Sequence, residues 1–216
     1  MTASILNTVR TRFTAKHYDP EKVISPEDWA AIEEILRLAP SSVNYQPVEY
    51  FVAHSAEEKA RIARGILDFN QERAIRASHV VVLAVPLEAS EAHFKAVLDK
   101  ETADGRYAGS KGEGPLDAGR RHFVALHQMT PSELVGWFTR QAYLACGFVT
   151  MASAAMGIDS TIMEGVDFAA LDRELGLRSQ GLASVLVMSF GYHSADDGNA
   201  ARPKSRLEPG LVVHHL

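Results

Sequence analysis

The alternation of apolar and polar positions divides the chain into helices separated by a few short strands. Residues 3–12 place Ile5, Leu6 and Val9 on one side of an opening helix. Ser25 is a suitable N-cap, with Pro26 at the first helical position and Asp28 three residues after the cap. Trp29, Ile32, Ile35, Leu36 and Ala39 then share a face, and the pattern stops at Pro40. Residues 49–54 read as a strand, 56–67 as an amphipathic helix and 70–77 as a second helical piece. Residues 79–85 are almost continuously apolar, the pattern of a strand covered on both faces. Residues 90–103 are helical again. Glycine and proline interrupt 105–119, the best candidate for a lid or excursion, and 117–127 reads as a short helix.

The dominant element follows. Thr130 and Glu133 form a capping box around Pro131, and the helical pattern runs to Met156, with Gly157 as its stop. From Ala142 onward it carries no charge. Glu133, Arg140 and Gln141 keep the uncharged run below the ~18–20 residues of a membrane span. A helix apolar on every side must be buried all round, and a subunit interface is a natural way to cover its second side. Residues 159–163 are extended, Asp167 caps a helix ending at Leu175-Gly176, and 182–192 form the last core strand. A polar tail begins at about 194. No repeat or linker splits the chain, which reads as one domain over 1–216.

Composition narrows the function classes. The 216 residues suffice for a real core, and 46% apolar with 23% charged residues is ordinary for a globular protein. A net charge of -5 provides no basic field for nucleic acid. Cys146 is the only cysteine, which excludes an internal disulfide and a cysteine-based metal cluster and favours a reducing, cytoplasmic setting. No secretory signal is visible at the N-terminus. The nine histidines are scattered, and His122 and His127, five apart, do not share a helix face, so no metal site is expected. Gly112-Glu113-Gly114-Pro115 lies in a loop with no strand ahead of it, so no dinucleotide fingerprint is present.

Two groups of residues carry candidate chemistry. Between Pro40 and Pro47 sit Ser41, Ser42, Asn44, Tyr45 and Gln46, five side chains able to hydrogen-bond between two φ-locked prolines. They make either a polar surface turn or a preorganised loop for a polyhydroxylated ligand. Arg12 with Lys16, and Lys204 with Arg206, place cation pairs near opposite ends of the chain. These are either two solvated patches or two arms converging on one phosphate.

Taken together, Arg12-x-Thr14-x-Lys16, the Pro40–Pro47 stretch, Gln141-x-Tyr143-Leu144, Glu164-Gly165 and Pro203-Lys204-Ser205-Arg206 resemble the FMN-dependent nitroreductase family. The branch of oxygen-insensitive NAD(P)H nitroreductases and dihydropteridine reductases is the most similar. Ala77-Ser78-His79-Val80 and Ala103-Asp104-Gly105-Arg106 also match, so the resemblance is collinear over nearly the whole chain.

The resemblance implies an α+β fold with a central, mostly antiparallel sheet flanked by helices and a long helix at a homodimer interface. Arg12, Lys204 and Arg206 would hold the FMN phosphate, helped by the backbone at Phe13. Thr14, Asn44 and Gln141 would meet the ribityl chain, with Ser41 and Ser42 on the partner's side of the pocket. Lys16 and Asn70 would contact the pyrimidine edge, where a cation favours the reduced flavin. The Glu164-Gly165 backbone would address flavin N5. Lys16, Arg73 and Arg106 would receive NADH or NADPH, and Phe123 would stack a flat acceptor, although on its own it reads equally as a core aromatic. No side chain need act as catalytic acid or base.

This chain departs from the family pattern at several points. Arg73 stands where Lys is common, Phe13 and Val48 replace a His and a Trp, Ile162 replaces a Pro, and His122 replaces an aromatic. The implied activity is ping-pong reduction of nitroaromatics, quinones or related acceptors. Alternatives on the same scaffold are a dihydropteridine or flavin reductase, a dehalogenase, a ring-cleaving enzyme, or a flavin-binding protein without turnover.

Overall fold

Alternate residues of one strand build two cores. The computed structural model describes residues 2–109 and 112–216. Its strands are β1 (Glu49–Ala53), β2 (His79–Pro86), β3 (Asp159–Met163) and β4 (Leu182–Gly191), in the order β1-β2-β4-β3 and antiparallel throughout. Val81, Leu83 and Val85 of β2 point to one face, and Val80, Val82 and Ala84 to the other; all six are fully buried. A side-chain period of two therefore gives the sheet a helix layer on each side.

Before the sheet come α1 (Thr2–Thr11) and α2 (Pro26–Arg37). Helices α3 (Ala56–Ala63) and α4 (Phe69–Ile75) follow β1, and α5 (Glu91–Ala103), α6 (Glu113–Ala125) and α7 (Pro131–Ala155) follow β2. Helix α8 (Phe168–Leu175) separates β3 from β4, and a short α9 (Pro209–Val212) lies in the tail. The first core joins Val81, Leu83 and Val85 to Trp29, Ile32 and Leu36 of α2 and Trp137, Phe138 and Val149 of α7. The second joins Val80 and Val82 to Ile62 of α3, Ala74 of α4 and Leu171 of α8.

The helix boundaries follow local chemistry. The Ser25 side chain accepts from the Asp28 amide, and capping boxes close at Ser55/Glu58 and Thr130/Glu133. Gly157, at φ +77°, ends α7 as its sequence predicts. Two boundaries differ from the sequence reading by more than two residues. Helix α3 ends at Ala63 instead of residue 67, because Gly65 lies where a Cβ would sit 2.8 Å from Leu171 Cβ, so the chain turns against α8. Helix α6 begins at Glu113, inside the stretch read as irregular from 105 to 119. Ser110 and Lys111 of that stretch lie outside the described residues.

Helix α7 buries Leu134, Trp137, Phe138, Gln141, Ala142, Ala145, Cys146, Val149, Thr150 and Ser153, alternating steps of three and one. Its other face carries Leu144 and Phe148, 47% and 46% exposed. Among the described residues this second face of the helix is therefore only partly covered. Among the described residues no helix is long and apolar enough to cross a membrane.

The Trp29 indole stacks on the His79 imidazole, with ring centroids 3.8 Å apart and planes 10° from parallel. Burial, assisted by the charges of His54 and Lys59, pushes the His79 pKa down from 6.5 to about 4. The unfolded chain thus binds this proton more readily than the folded one. Its contribution to stability is complete above pH 6.5 and is lost as pH falls from 6.5 towards 4. Thermal unfolding across that window is expected to show a falling melting temperature that flattens in His79→Phe; equal slopes in the two proteins would contradict this account.

Candidate functional site

After α1 the chain runs extended along the open edge of β3. Thr14 bridges Ser160 in parallel, and Tyr18 bridges His193 in antiparallel sense. Tyr18 anchors the segment, its buried hydroxyl lying 2.9 Å from Thr161 Oγ1 and 3.1 Å from the Ser189 carbonyl oxygen. The tail after β4 folds back over the same segment. Asp197, 4% exposed, accepts from the Lys16 amide at 2.6 Å and the His17 amide at 3.2 Å. Asn199 Nδ2 donates to the Thr14 carbonyl at 2.7 Å. Residues separated by about 180 positions are thereby laced together.

That lacing brings the two basic pairs to one place. Lys204 Nζ donates to the Arg12 carbonyl at 2.6 Å. A slight loss of solvation at the exposed Lys204, then the positive charges of Arg12 and Arg206, lower its pKa. Among the described residues no carboxylate forms an ion pair with Arg12, Lys204 or Arg206. Three cations held together without a counter-charge suit a dianionic phosphate. Phe13, between Arg12 and Thr14, packs edge-on against His193 with ring centroids 5.1 Å apart.

A second pair of cations lies nearby. Burial first, then the charge of Arg73, lowers the Lys16 pKa; Asp197 opposes the shift and Arg202 adds to it. Arg73 donates through Nη1 to Asn70 Oδ1, while its buried Nε has no hydrogen-bond partner among the described residues. Asn70 is 5% exposed and lies against Gly165, where a Cβ would come within 2.5 Å of Asn70 Nδ2. A side chain at residue 165 would displace the Asn70 amide from that approach. The Gly165 carbonyl accepts from the Leu67 amide at 2.9 Å, and the Tyr143 hydroxyl donates to Glu164 Oε1. Burial and the Glu164 carboxylate raise the Tyr143 pKa, which keeps that hydroxyl a donor.

The Pro40–Pro47 stretch forms the other half. Residues Ser42–Asn44 make one 3₁₀ turn, with Val43, Asn44 and Gln46 at φ 48°, 53° and 55°. The Ser42 amide donates to Gln141 Oε1 at 2.8 Å, and the Gln46 amide to Ser41 Oγ at 2.9 Å. Asn44 Nδ2 turns to Glu101 Oε1 at 2.6 Å. Tyr45 is a core residue, stacked on Phe138 at 5.3 Å and 2°. A cavity of about 360 Å³ beside the loop is lined by Ser41, Gln46, Gln141 and Ala145, among others. A neighbouring one of about 300 Å³ holds Asn44, Arg106 and Phe123, the last 50% exposed, but neither Lys16 nor Arg73.

The residues named from sequence therefore fall into two groups. Arg12, Phe13, Thr14, Lys16, Asn70, Arg73, Glu164, Gly165, Lys204 and Arg206 gather towards the β3 edge. Ser41, Ser42, Asn44, Gln141, Arg106 and Phe123 gather near the turn that leads into β1. Three strand spacings separate those edges, roughly 14 Å. Thr14 is thus apart from Asn44 and Gln141 within one chain. Sequence reasoning missed Asp197 and Asn199, read only as a polar tail, and the buried Glu101–Arg120 pair, whose stretches were read only as helical.

Residues 9–192 match the model of the nitroreductase family. The chain is 38% identical to an oxygen-insensitive NAD(P)H nitroreductase of Salmonella typhimurium, over 94% of this chain and 95% of that protein. It is 35% identical to the major NAD(P)H-flavin oxidoreductase of Aliivibrio fischeri, over 95% of each. A nitroreductase-like protein of Streptococcus mutans superposes with a TM-score of 0.82 at 20% identity, over 100% of both chains. A nitroreductase-type protein of Exiguobacterium sibiricum, solved in complex with FMN, does so with a TM-score of 0.76 at 23% identity, over 98% of this chain and 97% of that one.

Asp197 is expected to hold the β3-side half together. Asp197→Ala leaves the Lys16 and His17 amides without their acceptor and should lower the unfolding free energy in denaturant titration by about 1–3 kcal/mol. Amide exchange at Lys16 and His17 should accelerate; unchanged exchange and stability would show that the tail does not fix this segment.

Proposed function

This chain belongs to the nitroreductase family and is an FMN-dependent NAD(P)H oxidoreductase, and we propose that it passes electron pairs to flat, electron-poor acceptors such as nitroaromatics and quinones. The observation that carries the proposal is the convergence of Arg12, Lys204 and Arg206 with no carboxylate ion-pair partner among the described residues. These residues fit the cofactor. The three cations would hold its phosphate, with the Phe13 backbone beside them, and Thr14 would meet the ribityl chain. Lys16 and Arg73 would set positive charge at the pyrimidine edge, where Arg73 Nε still has a hydrogen bond to give. Asn70 would reach the same edge, and Gly165, bare of side chain, would let the ring approach the Glu164-Gly165 backbone. FMN, when bound, supplies the hydride chemistry between NADH or NADPH and the acceptor.

The likeness to the Aliivibrio fischeri flavin oxidoreductase supports a second reading, in which free flavin is the acceptor. In either case Phe123 would stack an incoming ring, and Arg106 would attract its negative charge or that of the nucleotide. As the only cysteine, Cys146 fits a reducing compartment, and a cytoplasmic location is part of the proposal.

The proposal includes a homodimer built on α7. Its support is the exposed apolar stripe of Leu144 and Phe148, the exposed apolar residues of the tail after Arg206, and the separation of the two half-sites. Ser41, Ser42, Asn44 and Gln141 of one protomer would complete the pocket begun by Arg12 and Lys16 of its partner.

Two experiments test this. Purified protein should be yellow and bleach anaerobically with NADH or NADPH. Arg206→Ala should weaken FMN binding roughly tenfold or more, the scale of a lost charged hydrogen bond, and more than Arg106→Ala does. The reverse order would displace the phosphate site. For the assembly, Phe148→Asp sets a charge on the α7 stripe and should shift sedimentation from dimer to monomer; an unchanged dimer would move the interface elsewhere.

A further inference from the structure

We propose that Glu101, acting with Arg120, is a positioning residue that holds the Ser41–Gln46 turn in the shape the flavin pocket requires. The inference rests on reading that turn as one wall of the FMN site. Val43 has φ 48° and ψ 23°, a left-handed conformation that a β-branched side chain rarely adopts. Asn44 and Gln46 follow at φ 53° and 55°. Three such residues within four positions persist only where the surroundings over-determine them.

The surroundings here are a buried charge cluster. The side chains of Glu101 and Arg120 are 5% and 4% exposed, and Arg120 Nη2 donates to Glu101 Oε2. Tyr107 Oη donates to the same oxygen. The other carboxylate oxygen accepts from Asn44 Nδ2 at 2.6 Å and lies 3.3 Å from Arg106 Nε. Arg120 also reaches the backbone of the turn, donating from Nε to the Val43 carbonyl at 3.1 Å, and it lies 3.4 Å from Asp117 Oδ1. Glu101 thus grips the Asn44 side chain while Arg120 grips the Val43 carbonyl, one contact on each of the two adjacent left-handed residues.

A buried ion pair is a poor source of net stability but a good source of fixed geometry, since neither charge can leave its partner cheaply. The gripped residues are flanked by Ser41, whose hydroxyl accepts from the Gln46 amide, and by Ser42, whose amide is held by Gln141. The clamp therefore sets the direction of the two serines without touching the cofactor itself. Because Arg120 and Phe123 lie on the same helix, it also ties the acceptor-side aromatic to the flavin-side turn.

The test is FMN binding to the full-length protein, titrated by flavin fluorescence, together with hydrogen–deuterium exchange at residues 41–46. Glu101→Gln keeps the shape and removes the charge. It should raise the FMN dissociation constant at least tenfold and speed exchange in the turn, with the circular dichroism spectrum unchanged. Arg120→Lys, which keeps the charge but cannot reach Val43 in the same way, should act in the same direction and serves if Glu101→Gln does not fold. Adding Val43→Gly, which adopts a positive φ freely, should recover part of the affinity in either background, a rescue that a merely structural role would not produce. Wild-type protein that binds FMN, with variants that bind it equally well, would overturn this inference alone. Wild-type protein that binds no FMN would overturn the flavin reading and this inference with it.

Discussion

A 25-residue helix that is apolar on both faces is the constraint on which the rest of the molecule depends. The sheet and α2 cover one side of α7, and among the described residues Leu144 and Phe148 on the other side stay about half exposed. The helix also sets the spacing of the functional residues. Gln141, on its inner face, fixes the Ser42 amide at the β1 side. Tyr143, two residues on and about 200° round the axis, reaches Glu164 beyond the end of β3. One rigid rod thus holds both halves of the site at once.

Charge is placed with equal economy. The chain carries a net charge of -5, yet Arg12, Lys204 and Arg206 meet without an acidic neighbour in ion-pair contact among the described residues. The nearby carboxylate of Asp197 is spent on backbone amides, which leaves Lys16 flanked by Arg73 with only partial compensation. Gathering like charges costs free energy in the folded protein, and a bound anion recovers it. This is the ordinary economy of a phosphate site.

Much of this was readable in the chain because it depended on neighbours. Ser25-Pro26 and Thr130-x-x-Glu133 mark helix starts by local hydrogen bonding, and the run from Val80 to Val85 marks a strand buried on both faces. Where local rules misled, a specific contact or position explains the error. Gly114 and Pro115 read as breakers, but the first turn of a helix tolerates proline, so α6 starts at Glu113. The end of α3 depends on Gly65 meeting Leu171, more than a hundred residues away. In the site, the residue types were visible but their meeting was not. Spacing alone left Arg12 and Lys204 as two patches or one, and only the family resemblance joined them. Asp197, Glu101 and Arg120 act through partners remote in sequence, and no periodicity announces such partners.

The division of the site between two edges of the sheet has a thermodynamic consequence. In the proposed dimer, a two-fold axis along α7 would bring the turn of each protomer to the cations of the other, giving two equivalent pockets. A ligand that touches both protomers binds the dimer better than the monomer, so it must tighten the dimer by the same factor. The Pro40–Pro47 turn would then carry both jobs. Its backbone is strained within its own chain, through Val43 and Asn44, and its polar groups are presented to a pocket that its own chain does not complete. A flexible turn would lose conformational entropy on each binding event, whereas a strained, clamped one has already lost it on folding. Flavin binding and dimer formation would in that case share one coupling free energy, to which the rigidity of this turn contributes.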